Sequence, residues 1–441
     1  MVKSATFSSA AVTSPVAQAP IVRAPAVQRT SYRAPLDVLP GAEVLPPYVS
    51  SVGLQLTLSD LEQMAMSNNP SMAEASARVD AARGKMLQVG LPPNPAVGYS
   101  GQQIGSQSAL QQGVYLEQEF VTGGKLSLNR RVASWELEQA QRQFTAQRMR
   151  VLTDVRLAYY SVVIAQRRCA LTAQLVAVGE HSVDAAEALL QGQEVGQSDP
   201  LRARIEADIA GIASQNAENQ YRAAWRTMAA VVGVPDMPIA AVQGDVEPEV
   251  LQGTWDETLG QLLVESPELD AAIAQVEAAR WAYRRARVEM VPNIDVQAIV
   301  QHDNSVDGTN GNLQVSVPIP LLNRNQGGVR QAQAELAAAD RAVDRLALAL
   351  QARLADSFQR YESAQNRVQK YERSGGILDN AAKSLDLIEK GYAAGEFGVV
   401  DLLTAQRTYF QVNLAYLDSL QDMWVAVTEI RGLQLSGSLQ Q

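Results

Sequence analysis

With 441 residues and a net charge of −10, the chain can hold one large domain or two to three ordinary ones, and it carries no concentrated basic stripe of the kind a nucleic-acid surface needs. Aromatic residues are only 5% while alanine and glutamine abound, which suits long helices around a thin, elongated core better than a thick globular one. One cysteine, Cys169, and two distant histidines, His181 and His302, exclude a disulfide within the chain and offer no metal-binding pair, so neither a metal nor a cofactor is expected.

Residues 1–52, rich in Pro, Ala and Val, read as an extended or disordered leader whose Lys3 and Ala17-Gln18-Ala19 faintly echo a secretory signal. No apolar run approaches the roughly 18–20 residues of a membrane-spanning helix, so any crossing of a bilayer would need strands. A first unit, 55–245, is expected to run short helix, medium helix, two strands, long helix, turn and returning helix. Its strands fall at about 95–104 and 109–120: Val97 and Tyr99 mark one, and Val114, Leu116 and Phe120 alternate with Tyr115, Glu117 and Glu119 in the other. Gly123-Gly124-Lys125 lacks the remainder of a phosphate loop and reads as the turn into a helix over about 125–191, a stretch free of proline.

After a link near Pro235–Gly253 the order repeats in a second unit, 255–441. Pro70 to Arg83 matches Pro267 to Arg280, and Gly192 and Gly196 match Gly391 and Gly395. The second strand pair is expected at about 293–301 and 312–320, from Val296, Ala298 and Val300 and then Leu313, Val315, Val317 and Ile319. Polar stretches Gln102–Ser108 and His302–Asn312 read as the hairpin loops.

A second long helix is expected over about 326–390, where Ala332, Leu336, Ala339, Val343, Leu346 and Leu350 fall at alternating steps of three and four, the seam of a coiled coil. Through Tyr361, Ala364, Val368 and Tyr371 the seam continues to Leu378 and Leu385. Sixty-five helical residues span roughly 100 Å at 1.5 Å each.

Strands of this length cross a bilayer when tilted, one face to lipid and one to a polar lumen, but four cannot close a barrel. Exposed sheet edges are not tolerated in lipid, so several copies would pool their strands, and three copies supply twelve. A coiled-coil scaffold outside any membrane would account for the helices but not for the apolar strand faces. No phosphate loop, nucleophile elbow or zinc motif is present, and the chain does not read as an enzyme.

Where each long helix reverses, Gly196 and Gly395 are expected to supply the left-handed backbone, with Asp199 and Asp401 opening the returning helices at their positive dipole ends.

In this order of elements the chain resembles the TolC-like outer-membrane efflux family over nearly all of its length after residue 55. The resemblance is carried by Val315-Ser316-Val317-Pro318-Ile319-Pro320-Leu321-Leu322-Asn323-Arg324-Asn325-Gln326-Gly327, by Gly391-Tyr392-Ala393-Ala394-Gly395 leading to Asp401-Leu402-Leu403-Thr404-Ala405-Gln406, and by Gly192 through Arg204. The Pro320 to Gly327 wording is similar to the heavy-metal cation branch.

The resemblance implies a mainly α fold with a small β part, long helical hairpins forming a coiled-coil tunnel, and four strands per protomer in a twelve-stranded barrel of a homotrimer. It further implies an outer-membrane location with the helices in the periplasm, a periplasmic adaptor (membrane fusion protein), an inner-membrane pump of the RND type, and passive export of small solutes or metal cations. A secretion duct for proteins stays open beside it. On this reading Gly196 and Gly395 mark adaptor-docking turns, and Asp199, Tyr392 and Asp401 a gate at the tip.

Overall fold

The computed structural model describes residues 56–440 apart from 105–108, 194, 245–249 and 252, so the leader expected over 1–52 lies outside the described residues. The first half runs α1 (Leu58–Asn68), α2 (Pro70–Gln88), β1 (Ala96–Ile104), β2 (Ala109–Phe120), α3 (Lys125–Gln191) and α4 (Ser198–Val232). The second half runs α5 (Trp255–Glu265), α6 (Pro267–Val288), β3 (Ile294–Asp303), β4 (Gly308–Ser316), α7 (Gln326–Glu372), α8 (Ile377–Ala393) and α9 (Val399–Arg431).

The same capping chemistry starts the helices of both halves. Thr57 and Asp60 form a capping box on α1, and Thr254 and Glu257 form one on α5. Asn69 caps α2 and Ser266 caps α6, each followed by a proline whose missing N–H costs nothing at that position.

The four strands form one antiparallel sheet in the order β1-β2-β3-β4. Because side chains alternate along a strand, the register sorts them onto two faces. One face carries the rows Val97, Leu116, Ala298, Leu313 and Tyr99, Val114, Val300. The other carries Glu117, Gln297, Gln314 and, one pleat on, Glu119, Asp295, Ser316. Aliphatic side chains on the first face stand largely exposed, with Val97 at 77%, Val114 at 60% and Leu313 at 72%. Neither β1 nor β4 has a second neighbour in this sheet, so both outer edges present unpaired backbone groups.

Two strand boundaries correct the expectation. The last strand spans Gly308–Ser316 rather than 312–320, and most of the stretch expected as loop, His302–Asn312, is paired: His302 faces Thr309 and Asp303 faces Gly308. Asp303 makes the tighter turn possible by accepting from the N–H and hydroxyl of Ser305, with Asp307 in the left-handed region at φ 46°. Downstream, Pro318 and Pro320 have no N–H to donate to a ladder, and the strand stops before them.

Gly123 and Gly124 both adopt positive φ, 67° and 68°, and turn β2 into α3. The buried Lys125 amine donates to Asn293 Oδ1 at 2.8 Å, and Asn293 Nδ2 donates to Glu119 Oε1 at 2.6 Å, tying the foot of β2 to the chain that enters β3.

The helix α3 runs unbroken for 67 residues, about 100 Å. Its counterpart does not: the helix expected over 326–390 is interrupted at Arg373–Gly376, between α7 and α8. Gly375 sits at φ +67° and Gly376 at φ −75°, ψ −170°, and a Cβ on Gly376 would come within 2.5 Å of the Arg373 carbonyl oxygen. The break falls inside the seam, but Tyr371, Leu378 and Leu385 keep a seven-residue spacing across it, so apolar periodicity alone runs straight through.

Midway along the helices a denser core gathers Leu61, Val151, Val155, Val162, Tyr221, Trp225, Met228, Leu350, Leu354, Leu420 and Leu435. Its buried polar tips are satisfied: Trp225 Nε1 donates to Met237 O at 3.1 Å and Tyr221 Oη donates to Ala240 O at 2.9 Å. Burial, with Cys169 nearby, pushes the Tyr221 phenol up to about 12. The folded state thus holds this proton more tightly than the unfolded state, so stability from Tyr221 is complete below pH 10 and is lost as pH rises toward 12. Tyr221→Phe should flatten the alkaline fall in thermal midpoint over that window, read by circular dichroism at stepped pH; an unchanged slope would show that other groups control it.

Candidate functional site

The two helix reversals lie far along the chain from the strands and are built differently. In the second, α8 ends in a paired motif: Gly395 N–H donates to Tyr392 O at 3.0 Å and Glu396 N–H to Gly391 O at 2.8 Å, with Gly395 left-handed at φ +75°. The Phe397 ring lies on Gly391, where a Cβ would come within 2.3 Å of it. Asp401, the third residue of α9, accepts from the Gly398 N–H at 3.2 Å and so caps the helix it opens.

In the first reversal the left-handed residue is Gln193, φ 61°, and not Gly196 as expected. The physical reason is where each helix ends. α3 stops at Gln191 and its cap at Gly192, so the left-handed position falls on the next residue, whereas α8 continues to Ala393 and delivers it to Gly395. Gly196 instead accepts, through its carbonyl, the Asp199 N–H at 3.2 Å as α4 begins. Asp199 Oδ1 accepts from the Ser198 hydroxyl at 3.2 Å.

Tyr392 and Asp199 come from different hairpins and the structure brings them near one another. Burial first, and the Asp199 carboxylate second, hold the Tyr392 phenol above its ordinary range. Its hydroxyl is therefore a neutral donor at physiological pH. Among the described hydrogen bonds none joins Tyr392 to Asp199 within one chain, and Asp401 is engaged by its own helix cap.

The hairpins are joined by contacts that the repeat did not disclose. Arg407 of α9 pairs through two nitrogens with Glu206 of α4, and Ser182 of α3 donates to Gln406 of α9 at 3.4 Å. Nearer the central core, Arg168 of α3 pairs with Asp418 of α9, and Tyr160 stacks on Trp424 with ring centres 3.5 Å apart. A sequence signal existed: Glu206 and Arg407 are opposite charges about two turns into the two returning helices.

Among the described residues no helix is long and apolar enough to cross a membrane, and no group of His, Cys, Asp and Glu is placed to hold a metal ion. What the arrangement offers is a two-faced sheet at one end, a shaft of paired helices, and a polar, glycine-turned tip at the other.

Comparison with known proteins agrees in architecture. A family model described as outer membrane efflux protein matches residues 61–234 and 258–434. The cobalt-zinc-cadmium resistance protein CzcC of Cupriavidus metallidurans is 24% identical over 402 residues, covering 88% of this chain and 92% of that protein. Among solved structures, the outer membrane protein VceC of Vibrio cholerae superposes with a TM-score of 0.71 at 20% identity, covering 86% of this chain and 96% of that one. CusC, whose structures concern folding and transmembrane channel formation, superposes with a TM-score of 0.72 at 15% identity, covering 90% of this chain and 99% of that one.

Proposed function

The chain belongs to the outer membrane efflux protein family and has the TolC-like fold, and from this we propose that it is one protomer of a trimeric channel that serves as the outer-membrane duct of a tripartite export system. The observation that carries the reading is the sheet: four strands with an exposed aliphatic face, a polar opposite face and two unpaired edges, set at the end of α3, a helix about 100 Å long. β4 of one copy lying antiparallel to β1 of the next would remove both edges, and three copies would close twelve strands around the polar face.

In this assembly the helices cross the periplasm and the tip meets a periplasmic adaptor and an inner-membrane pump of the RND type, which supplies the energy. Small solutes or metal cations are the cargo. The similarity to CzcC supports metal cations, as does the polar strand face, where Glu117, Glu119 and Asp295 stand without a lysine or arginine among their strand neighbours. The turns at Gly196 and Gly395 are the docking points for the adaptor, and Asp199, Tyr392 and Asp401 the polar closure of the tunnel.

The protomer count tests the reading. Extracted from membranes in detergent, the protein should run as a stable trimer. A monodisperse monomer with no membrane association would remove the channel and leave a coiled-coil scaffold.

A further inference from the structure

We propose that each protomer carries a binding site for a small organic carboxylate, in a cavity lined by α2, α3, α6 and α7 at the level where α2 and α6 begin. That the site opens on the tunnel rests on the channel reading; that it binds does not.

The cavity has a volume of about 480 Å³, within the range of small-molecule pockets. Its helices lie side by side, α2 against α3, α3 against α6 and α6 against α7. A cavity lined by both outer helices as well as by the two between them lies on the concave side of such a layer. When copies close a tunnel they meet at the edges of the layer, so its concave side faces the axis and no neighbour covers it.

The wall of the cavity is a chain of polar contacts that joins three helices and the C-terminal tail. Gln147, buried on α3, donates through Nε2 to Ser71 Oγ at 2.8 Å and to Ser438 O at 3.1 Å, and its Oε1 accepts from Arg150 Nη1 at 3.3 Å. Arg150 pairs in turn with Glu268 of α6, and Arg353 of α7 reaches the same carboxylate at 3.4 Å.

Two donors on this wall are left for a ligand. Asp154 fixes the tail by accepting from the N–H groups of Gly437 at 2.9 Å and Ser438 at 2.6 Å, so both backbone groups of Ser438 are bonded. Ser438 lines the cavity at 3% exposure, and its hydroxyl has no hydrogen-bond partner among the described residues. A buried polar atom in that position is costly unless something meets it. Arg353 spends one of its five N–H donors on Glu268, which leaves a guanidinium edge for a second carboxylate.

Charge and shape choose the ligand. The charged lining is Arg78, Arg150 and Arg353 against Glu74 and Glu268, and both glutamates are already paired with arginines, so the site favours an anion over a metal cation. Much of the remainder is apolar: Phe144, Ala271, Ala339, Ala342 and Leu346 offer a floor to a hydrocarbon body, which a bare inorganic anion would not use.

Titration calorimetry of the full-length, detergent-solubilised protein with benzoate tests the site. Benzoate should bind saturably, and benzamide, its neutral isostere, and benzylamine, its cationic counterpart, at least tenfold more weakly. Arg353→Gln should weaken benzoate at least tenfold and Ser438→Ala about threefold, the serine change leaving the backbone clamp of the tail intact. Ala342→Phe fills the floor and should abolish binding, which keeps the idea testable if Arg353→Gln disturbs α7. A lack of saturable benzoate binding, binding no tighter than that of benzamide, or a Kd unmoved by all three variants overturns the site. Trimers that bind no benzoate overturn the site alone, whereas a monomer that binds it upholds the site and overturns the channel.

Discussion

Arginine in place of Val114 is expected to abolish stable membrane insertion of the protein. Val114 lies in the row Tyr99, Val114, Val300 on the exposed face of the sheet, with no charged residue beside it in the register. In a closed barrel this face meets lipid, where an arginine near the bilayer midplane costs about 2–4 kcal/mol. Three copies carry the substitution, so the assembly loses roughly 6–12 kcal/mol, comparable to the whole stability of an ordinary domain.

The control is Gln297→Arg. Gln297 sits between Glu117 and Gln314 on the polar face, where a guanidinium meets water and a carboxylate. It should insert and trimerise, with cation preference reduced. The readout is membrane-fractionated protein run as unheated oligomer. Normal trimers from Val114→Arg would mean that the aliphatic face does not meet lipid, and the barrel would have to be abandoned whatever the shape of the helices.

The alternation that supports this experiment was readable in the sequence because a half-buried strand imposes period two on its side chains. The seam of α7 was equally plain, and Leu350, Tyr361, Ala364 and Val368 are buried where it predicts. What escaped was whatever the apolar period does not record. The Ser374-Gly375-Gly376 interruption keeps the heptad spacing on either side, so the apolar period runs through it and only the Ser-Gly-Gly run itself marks the break. The left-handed residue of the first turn depends on where α3 stops, a matter of one helical turn that a glycine alignment cannot resolve, and it fell on Gln193. Arg407 and Glu206 stand at matching depths in the two returning helices, but they are 201 residues apart and the repeat does not say that those two helices pack side by side.

The tip residues carry the second large effect: Tyr392→Phe combined with Asp199→Ala should raise single-channel conductance and leak of small antibiotics. The Tyr392 phenol is protonated at neutral pH, and burial and then the Asp199 carboxylate shift it further that way, so it can donate to a carboxylate. Within one chain Asp199 is bonded to Ser198 and the described hydrogen bonds leave the Tyr392 hydroxyl for a contact formed in the assembly. A hydrogen bond to a charged acceptor contributes about 1–3 kcal/mol, so in the proposed trimer three of them would hold a closed tip weakly enough for a docking partner to release. Asp401→Asn separates charge from structure. The amide oxygen can still accept from the Gly398 N–H and keep the cap, while the trimer loses three negative charges at one level. Cation preference should fall and conductance should change little. Should the Tyr392 and Asp199 double variant conduct as wild type, and Asp401→Asn retain its selectivity, these residues cap helices and nothing more, and the tunnel closes elsewhere.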